Sequence, residues 1–193
     1  MSSIKLKGSS SGDVTITVPA AAGTNTVTIP AVTGNVITNK TAGTIIQIVN
    51  VQTTAVATGT TIFPADDTIP QKTEGDEYMT LAITPTNASN KLRIFSTFYC
   101  SHSAASSVMS AGLFQDDTAA TLNAIMGGRS SGAGRPATMV LDHYMTAGTT
   151  SATTFKIRAG GPASGTTTFN GLGTNRFFGG LGTASITITE IAV

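Results

Sequence analysis

Short alternating runs of apolar and polar residues dominate the sequence from Thr44 onward, and clusters of Gly, Pro, Asn and Asp separate nearly all of them. Because successive side chains of a β-strand point to opposite faces, such runs predict strands with one face in a core. No window of about 12 residues carries the apolar period of a helix. The predicted strands are 45–51, 77–84, 92–100, 108–115, 138–145, 153–158 and 185–191, with 119–126 left ambiguous. This pattern predicts an all-β sandwich or barrel.

The composition supports a globular β-rich chain. Of its residues, 40% are hydrophobic, which is enough for one sizeable core. Only 11% are charged, against roughly 25% in an ordinary soluble domain. Thr, Val and Ile are frequent, and these β-branched residues favour extended backbone. We therefore expect a nearly neutral surface rich in hydroxyl groups.

Residues 1–43 form a segment of a different kind, in which a short alternating run closed by proline occurs twice. The first pass is GDVTITVPAAAGT and the second is TNTVTIPAVTGNV. A two-stranded ribbon is marginal in water, so three copies wrapped about an axis would cover each other's apolar positions. The alternative is a flexible arm, since GSSSGD resembles a linker. The candidate contact residues of this stem are Val14, Ile16, Val18, Val27 and Ile29.

The last predicted strand alternates strictly, which places Ile186 and Ile188 toward the core, with Ile191 as a further candidate near the end of the strand. The single cysteine, Cys100, excludes an internal disulfide and alternates with apolar neighbours. We interpret it as a small core residue, and we expect stability to come from packing or oligomerisation.

Glycine-rich segments at 126–135, 159–165 and 171–182 are predicted to be loops at the ends of the sandwich, where binding sites are commonly built. Their polar side chains could hydrogen-bond a sugar, although the absence of Trp argues against a strong lectin site. The candidate contact residues are Arg129, Arg135, Tyr144 and Arg176, together with His143.

Charge and hydropathy argue against two classes of partner. The formal net charge is +1, and there is no basic tract, so the electrostatic footprint of nucleic-acid binding is missing. No apolar run reaches the roughly 18 residues of a membrane span, and the N-terminus lacks the apolar stretch of a signal peptide. We expect no nucleic-acid or membrane partner, and synthesis in a cytoplasm.

Acidic residues cluster at Asp66–Asp67, 74–77 and Asp116–Asp117. Their oxygens suit Ca²⁺, but none of the clusters has the spacing of a calcium loop. Asp also initiates turns through its own side chain, and this is the interpretation we favour. The two histidines, His102 and His143, pair with no Cys or His at a zinc-like spacing. We expect no metal and no cofactor.

No catalytic motif is present. The sequence Ser101-His102-Ser103 places a hydroxyl beside an imidazole, but neighbouring side chains of a strand point to opposite faces, and no G-x-S-x-G elbow occurs. The phosphate-binding glycine patterns are also missing. We expect that the protein is not an enzyme.

Two stretches carry a resemblance. SGDVTITVPAAAGTNTVTIPAVTGNVIT (11–38) resembles the stem motif of phage tail-fibre and virion-surface proteins. LAITPTNASNKLRIFST (81–97), with IIQIVNVQTT (45–54) and SITITEI (185–191), resembles a phage virion knob similar to a tumour-necrosis-factor-like jelly roll.

The resemblance implies an antiparallel jelly roll over residues 44–193, preceded by a trimeric stem or docking segment over 1–43. It implies a homotrimeric structural protein on the outer surface of a bacteriophage particle, made in the host cytoplasm. Such a protein would decorate or cement the capsid, or form a short fibre, and its partners would be capsid or tail proteins. The alternative is a tail-fibre knob that binds a host surface glycan.

Overall fold

The structure of the protein, a computed structural model, describes residues 3–7, 10–17, 42–104, 108–127 and 135–193. The chain divides into two units, Met1–Val36 and Ile37–Val193. The sequence-based boundary after residue 43 stays a prediction. The stem candidates Val18, Val27 and Ile29 and the loop candidate Arg129 lie outside the described residues.

In the first unit, β1 (Ser3–Lys7) and β2 (Asp13–Thr17) form an antiparallel hairpin. β2 contains the predicted stem residues Val14 and Ile16, which pair through the backbone with Leu6 and Ile4. Lys5 Nζ lies 2.6 Å from a carboxylate oxygen of Asp13, so an ion pair joins the two strands. A two-stranded sheet of this size is marginally stable alone in water.

The second unit confirms the predicted all-β fold. Each predicted strand is present within about two residues of its expected ends, the usual uncertainty of such assignments. The ambiguous segment ends in a strand at 123–127, and a 3₁₀ turn occupies Phe178–Gly180. The main strands are β3 (Ile45–Thr53), β4 (Ala57–Gly59), β5 (Asp76–Ile83), β6 (Lys91–His102), β7 (Met109–Gln115), β8 (Asn123–Gly127), β9 (Ala137–Thr146), β10 (Thr153–Gly160), β11 (Thr167–Phe169), β12 (Gly171–Leu172), β13 (Asn175–Arg176) and β14 (Ala184–Ile191).

The strand order defines a jelly roll. The first sheet runs β3-β14-β6-β9. β6 is longer than β14, and on the same edge its last residues pair with β11, which in turn pairs with β4. The second sheet runs β5-β10-β7-β8. All of these pairings are antiparallel, and the chain crosses repeatedly from one sheet to the other. This winding of two Greek keys into facing sheets is the jelly-roll arrangement.

Apolar side chains from both sheets fill the space between them. β6 contributes Leu92, Ile94 and Phe98, while β10 contributes Phe155 and Ile157. All five are almost fully buried. Cys100 lies in the same core, as predicted, and its burial raises the pKa of the thiol. A single continuous core of this kind stabilises the domain mainly by removing apolar surface from water.

One predicted core position in β14 is wrong. Ile186 and Ile188 are fully buried as expected, but the next inward position is Glu190, and Ile191 is only partly buried. A register shift against β3 occurs between Glu190 and Ile191. The alternation therefore carries a carboxylate, rather than an isoleucine, to the end of the core.

Candidate functional site

The outward side of the first sheet, formed by β3, β14, β6 and β9 and here called the open face, carries exposed apolar and aromatic side chains. Ile48, Thr189, Arg93 and Tyr144 are successive partners across the four strands. Ile48 and Tyr144 are each 57% exposed, although they lie within regular strands. Exposed apolar side chains grouped on a flat sheet are typical of an interaction surface.

The next two rows of the open face extend this surface. In one row, Phe95 of β6 lies between Thr187 and Asp142. In the following row, Thr97 pairs with Val140, which is 49% exposed. The face thus combines aliphatic and aromatic groups with threonine hydroxyls, a composition that suits burial against another protein surface.

A paired charge lies at the centre of the open face. Arg93 Nε and Nη2 donate hydrogen bonds of 2.9 and 2.7 Å to the two carboxylate oxygens of Asp142. The guanidinium also lies 5.4 Å from the ring centroid of Phe95 and 5.5 Å from that of Tyr144. The hydrogen bond from Arg93 lowers the pKa of Asp142. The pair leaves the centre of the face without net charge and fixes the two rings around it.

The outer side of the second sheet is different because the chain itself covers part of it. Phe63 is buried, and its backbone N–H donates a 2.9 Å hydrogen bond to Gly161 O. A Cβ atom on Gly112 would lie 3.1 Å from the Phe63 ring, so the ring lies directly over β7. The neighbouring part of this side carries Lys156 and Arg158, which face Glu77. On the open face, by contrast, Ile48, Val140 and Tyr144 are each about half exposed.

The buried carboxylate of Glu190 is held by donors from two other segments. Its Oε1 accepts hydrogen bonds from Thr86 N at 2.9 Å, Thr86 Oγ1 at 2.8 Å, Asn87 N at 3.3 Å and Asn90 Nδ2 at 2.6 Å. Its Oε2 accepts a 2.6 Å bond from Gln47 Nε2. Burial alone would raise the pKa of Glu190, but these hydrogen bonds outweigh it and the pKa is lowered. All of the carboxylate's described partners are neutral donors, and together they fasten β14 to the start of β3 and to the turn before β6.

The hydroxyls of Ser101 and Ser103 make no described hydrogen bond to the imidazole of His102. The Ser101 hydroxyl donates to Gly171 O at 3.0 Å, and the Ser103 hydroxyl accepts from Thr166 N at 2.8 Å. His102 Nδ1 accepts from Ala104 N at 3.2 Å, and burial lowers the pKa of the imidazole. Each group is therefore engaged by backbone, and no nucleophile is activated by a neighbouring base in this arrangement.

The acidic pairs lie in turns. Asp66 Oδ1 accepts from the backbone N–H and the hydroxyl of Thr68, at 3.0 and 2.5 Å. The carboxylate of Asp116 accepts from Thr154 N at 2.7 Å and from Thr153 Oγ1 at 2.9 Å. Asp117 pairs with Lys72. Within the described ranges, no three His, Cys, Asp or Glu side chains gather as a metal site would require.

The loop candidates do not meet at one place. Tyr144 is not in a loop but in the middle of the open face, on β9. Arg135 is exposed just before the same strand. Arg176 lies on β13 and lines a separate cleft together with residues 52–56, which sequence reasoning did not select.

An aromatic cluster adjoins the end of the open face. The Tyr99 ring lies 5.4 Å from that of Phe177, which lies 6.1 Å from that of Phe178. Phe178 is 80% exposed and Leu181 is 84% exposed. The segment that follows β13 therefore adds further apolar surface beside β6.

In the described residues, no helix combines the length and the apolar character that crossing a membrane would take. No protein-family model matches the chain, and no curated protein matches it.

Three solved structures are similar to this chain at low identity. VP2 of the infectious bursal disease virus subviral particle is 13% identical with a TM-score of 0.36, over 86% of this chain and 42% of that one. Eiger TNF from S. frugiperda is 11% identical with a TM-score of 0.37, over 75% and 93%. Dimeric latent PorU from Porphyromonas gingivalis is 8% identical with a TM-score of 0.36, over 78% and 14%. The chain thus spans less than half of the viral protein. The jelly-roll assignment rests on this chain's own strand order.

Proposed function

We propose that this chain is a non-catalytic structural protein of a bacteriophage virion, a homotrimer on the outer surface of the particle. It decorates or cements the capsid, or forms a short fibre. The observation that carries the proposal is the open face, where Ile48, Val140 and Tyr144 surround the Arg93–Asp142 pair. The occupants of this face are two further copies of the same chain.

The chemistry of the open face supports self-association. The Arg93–Asp142 pair is already neutral, so burying it against another copy leaves no unpaired charge. The apolar groups around it gain stability when removed from water, roughly 25 cal/mol for each Å² buried. The second sheet lacks this opportunity, because Phe63 and its segment already cover part of it.

The N-terminal hairpin supports the same conclusion. β1 and β2 form a two-stranded sheet, which is marginal in water. Leu6 is exposed in it. Three hairpins packed around an axis would cover such side chains, with Val14, Ile16, Val18, Val27 and Ile29 as the stem contacts. The resemblance of residues 11–38 to phage stem motifs supports docking of this segment to capsid or tail proteins.

The substitution Val140→Glu tests the trimer. It places a charge on the open face at a position exposed in the single chain, so the fold is retained while association is weakened. Native mass spectrometry should find three chains for the wild type and mostly single chains for the variant. Thr80→Glu, on the exposed outer side of the second sheet, is the matched control and should remain trimeric. A monomeric wild type, or a trimeric Val140→Glu, would overturn the proposal.

Cryo-electron microscopy of the intact particle tests the location. Trimers spread over the capsid would establish decoration, and density confined to the tail would make the protein a fibre. If intact wild-type particles show no density for the protein, the proposed virion role is wrong.

The second candidate function is glycan binding by the knob. It is favoured by one observation, the cleft that contains Arg176.

A further inference from the structure

A cleft of about 750 Å³ lies between two segments. One is 52–56, which contains the last two residues of β3 and the three that follow, and the other is 174–176, which contains β13. Its volume is within the range of small-molecule sites, roughly 300–1,000 Å³. It adjoins the open face, because Gln52 lies at the β3 end of the row that runs through Ser185 and Thr97 to Val140. The structural role in the virion does not use it, and the inference below rests on the second candidate function, glycan binding, which it makes specific.

The walls of the cleft are held by buried structure. Asn170 is 1% exposed and adopts a left-handed conformation with φ of 56°. Its Nδ2 donates to Thr53 O at 3.1 Å, Ala55 O at 3.4 Å and Gly182 O at 3.3 Å. One buried amide therefore fixes the 52–56 wall to the segment beyond β13.

The other wall, β13, lies close to the first because the residue at position 171 is a glycine. A Cβ atom on Gly171 would lie 2.5 Å from Asn175 O and 2.8 Å from Val56 Cγ2. Only glycine allows β12 and β13 to lie this close to Val56. The two walls are thus set before any ligand arrives, which lowers the entropy lost on binding.

Four polar side chains of the cleft make no hydrogen bond that the structure describes. Gln52, Thr54, Thr174 and Asn175 line it, and none of these side chains hydrogen-bonds to another described residue. Arg176 forms no ion pair among the described residues. The cleft therefore presents amides and hydroxyls, which can each donate and accept, around one guanidinium and the apolar Val56.

We propose that this cleft binds an acidic saccharide, a sugar that carries a carboxylate such as a hexuronate. The guanidinium of Arg176 binds the carboxylate through two parallel hydrogen bonds. The amides of Gln52 and Asn175 bind neighbouring sugar hydroxyls, and Val56 contacts the C–H face of the ring. One positive charge matches one carboxylate, whereas a phosphate backbone is bound by several cations. With no aromatic ring in the lining, a single site binds with Kd on the order of 1 mM.

The experiment is an NMR titration of the full chain with glucuronic acid up to about 20 mM, well above that Kd. Amide shifts should change at residues 52–56 and 174–176, and glucose should cause smaller changes at the same concentration. Arg176→Ala should weaken glucuronate binding at least about tenfold. Lys91→Ala removes an exposed cation outside the cleft and should bind as the wild type does.

Several results would overturn this assignment. They are unchanged glucuronate binding by Arg176→Ala, equal binding of glucose, no shift changes in the cleft, or equal binding of inorganic phosphate, which would make the site a general anion site. The titration uses the isolated protein and does not depend on assembly of the particle, so its failure leaves the virion proposal untouched.

Discussion

Asn90 Nδ2 donates a 2.6 Å hydrogen bond to Glu190 Oε1 across 100 positions of the chain. Gln47 donates to the other oxygen of the same carboxylate. β14 is thereby bonded through one side chain to the start of β3 and to the turn before β6. Three segments that are distant in sequence therefore meet at one carboxylate.

Glu190→Gln should lower the free energy of unfolding by about 2–4 kcal/mol. The NH₂ group of the introduced glutamine would face N–H and O–H donors that in the wild type bind a carboxylate oxygen. Urea denaturation followed by circular dichroism measures this. Glu77→Gln is the control, since Glu77 lies in longer, partly exposed ion pairs at 3.5 and 3.7 Å. It should change stability by under about 1 kcal/mol. An equal effect of the two substitutions would contradict the role given to Glu190.

The pH dependence of stability should contain a contribution from Glu190. Its folded-state pKa lies below the ordinary value of 4.5, so in acid the unfolded chain takes up the proton first. The contribution is fully present well above pH 4.5 and is lost as the pH falls through 4.5 toward the lowered folded pKa. Urea midpoints measured between pH 6 and pH 3 should fall less steeply for Glu190→Gln, and parallel curves would contradict the prediction.

Tyr78→Phe should leave stability unchanged or raise it by up to about 1 kcal/mol. The Tyr78 hydroxyl is buried without a described hydrogen-bond partner, and burial raises its pKa. Its ring stacks on Phe169 at 4.8 Å, a contact that the substitution keeps. Removing an unsatisfied buried group is favourable. Thermal denaturation checks this, with Tyr144→Phe as an exposed control, and a clear loss of stability would reveal a partner for the Tyr78 hydroxyl.

Cys100 should resist thiol reagents in the folded protein, because it is fully buried and its thiol pKa is raised by that burial. Ellman's reagent should react only as fast as the domain opens, and at once in denaturant. A Thr80→Cys variant, with its added thiol exposed, should give one rapid equivalent. Rapid reaction of the wild type would show that the core opens easily around β6.

The strands could be predicted because each of them records its environment locally, through alternation and turn residues. The Ile191 assignment failed because a carboxylate can replace an apolar side chain where donors gather, and Gln47 and Asn90 lie far away in sequence. The open face escaped prediction for a related reason. An alternating pattern shows that one side is apolar, but the exposure of Ile48 and Tyr144 depends on which strands become neighbours.

The cleft illustrates the same limit. Arg176 could be named from the sequence as a polar residue in a glycine-rich segment, but Gln52 and Thr54 could not, because only the folded chain brings residues 52–56 opposite it. The need for glycine at Gly171 is likewise invisible until Val56 lies beside it.

The position of β14 between β3 and β6 has a consequence for biosynthesis. Until residues 184–191 leave the ribosome, β3 lacks its described hydrogen-bonded neighbour and β6 has an open edge. The first sheet therefore closes only after translation has passed this strand. When β14 of one chain emerges, it can pair with the open edges of β3 and β6 in a neighbouring nascent chain on the same messenger, which would produce strand-swapped chains.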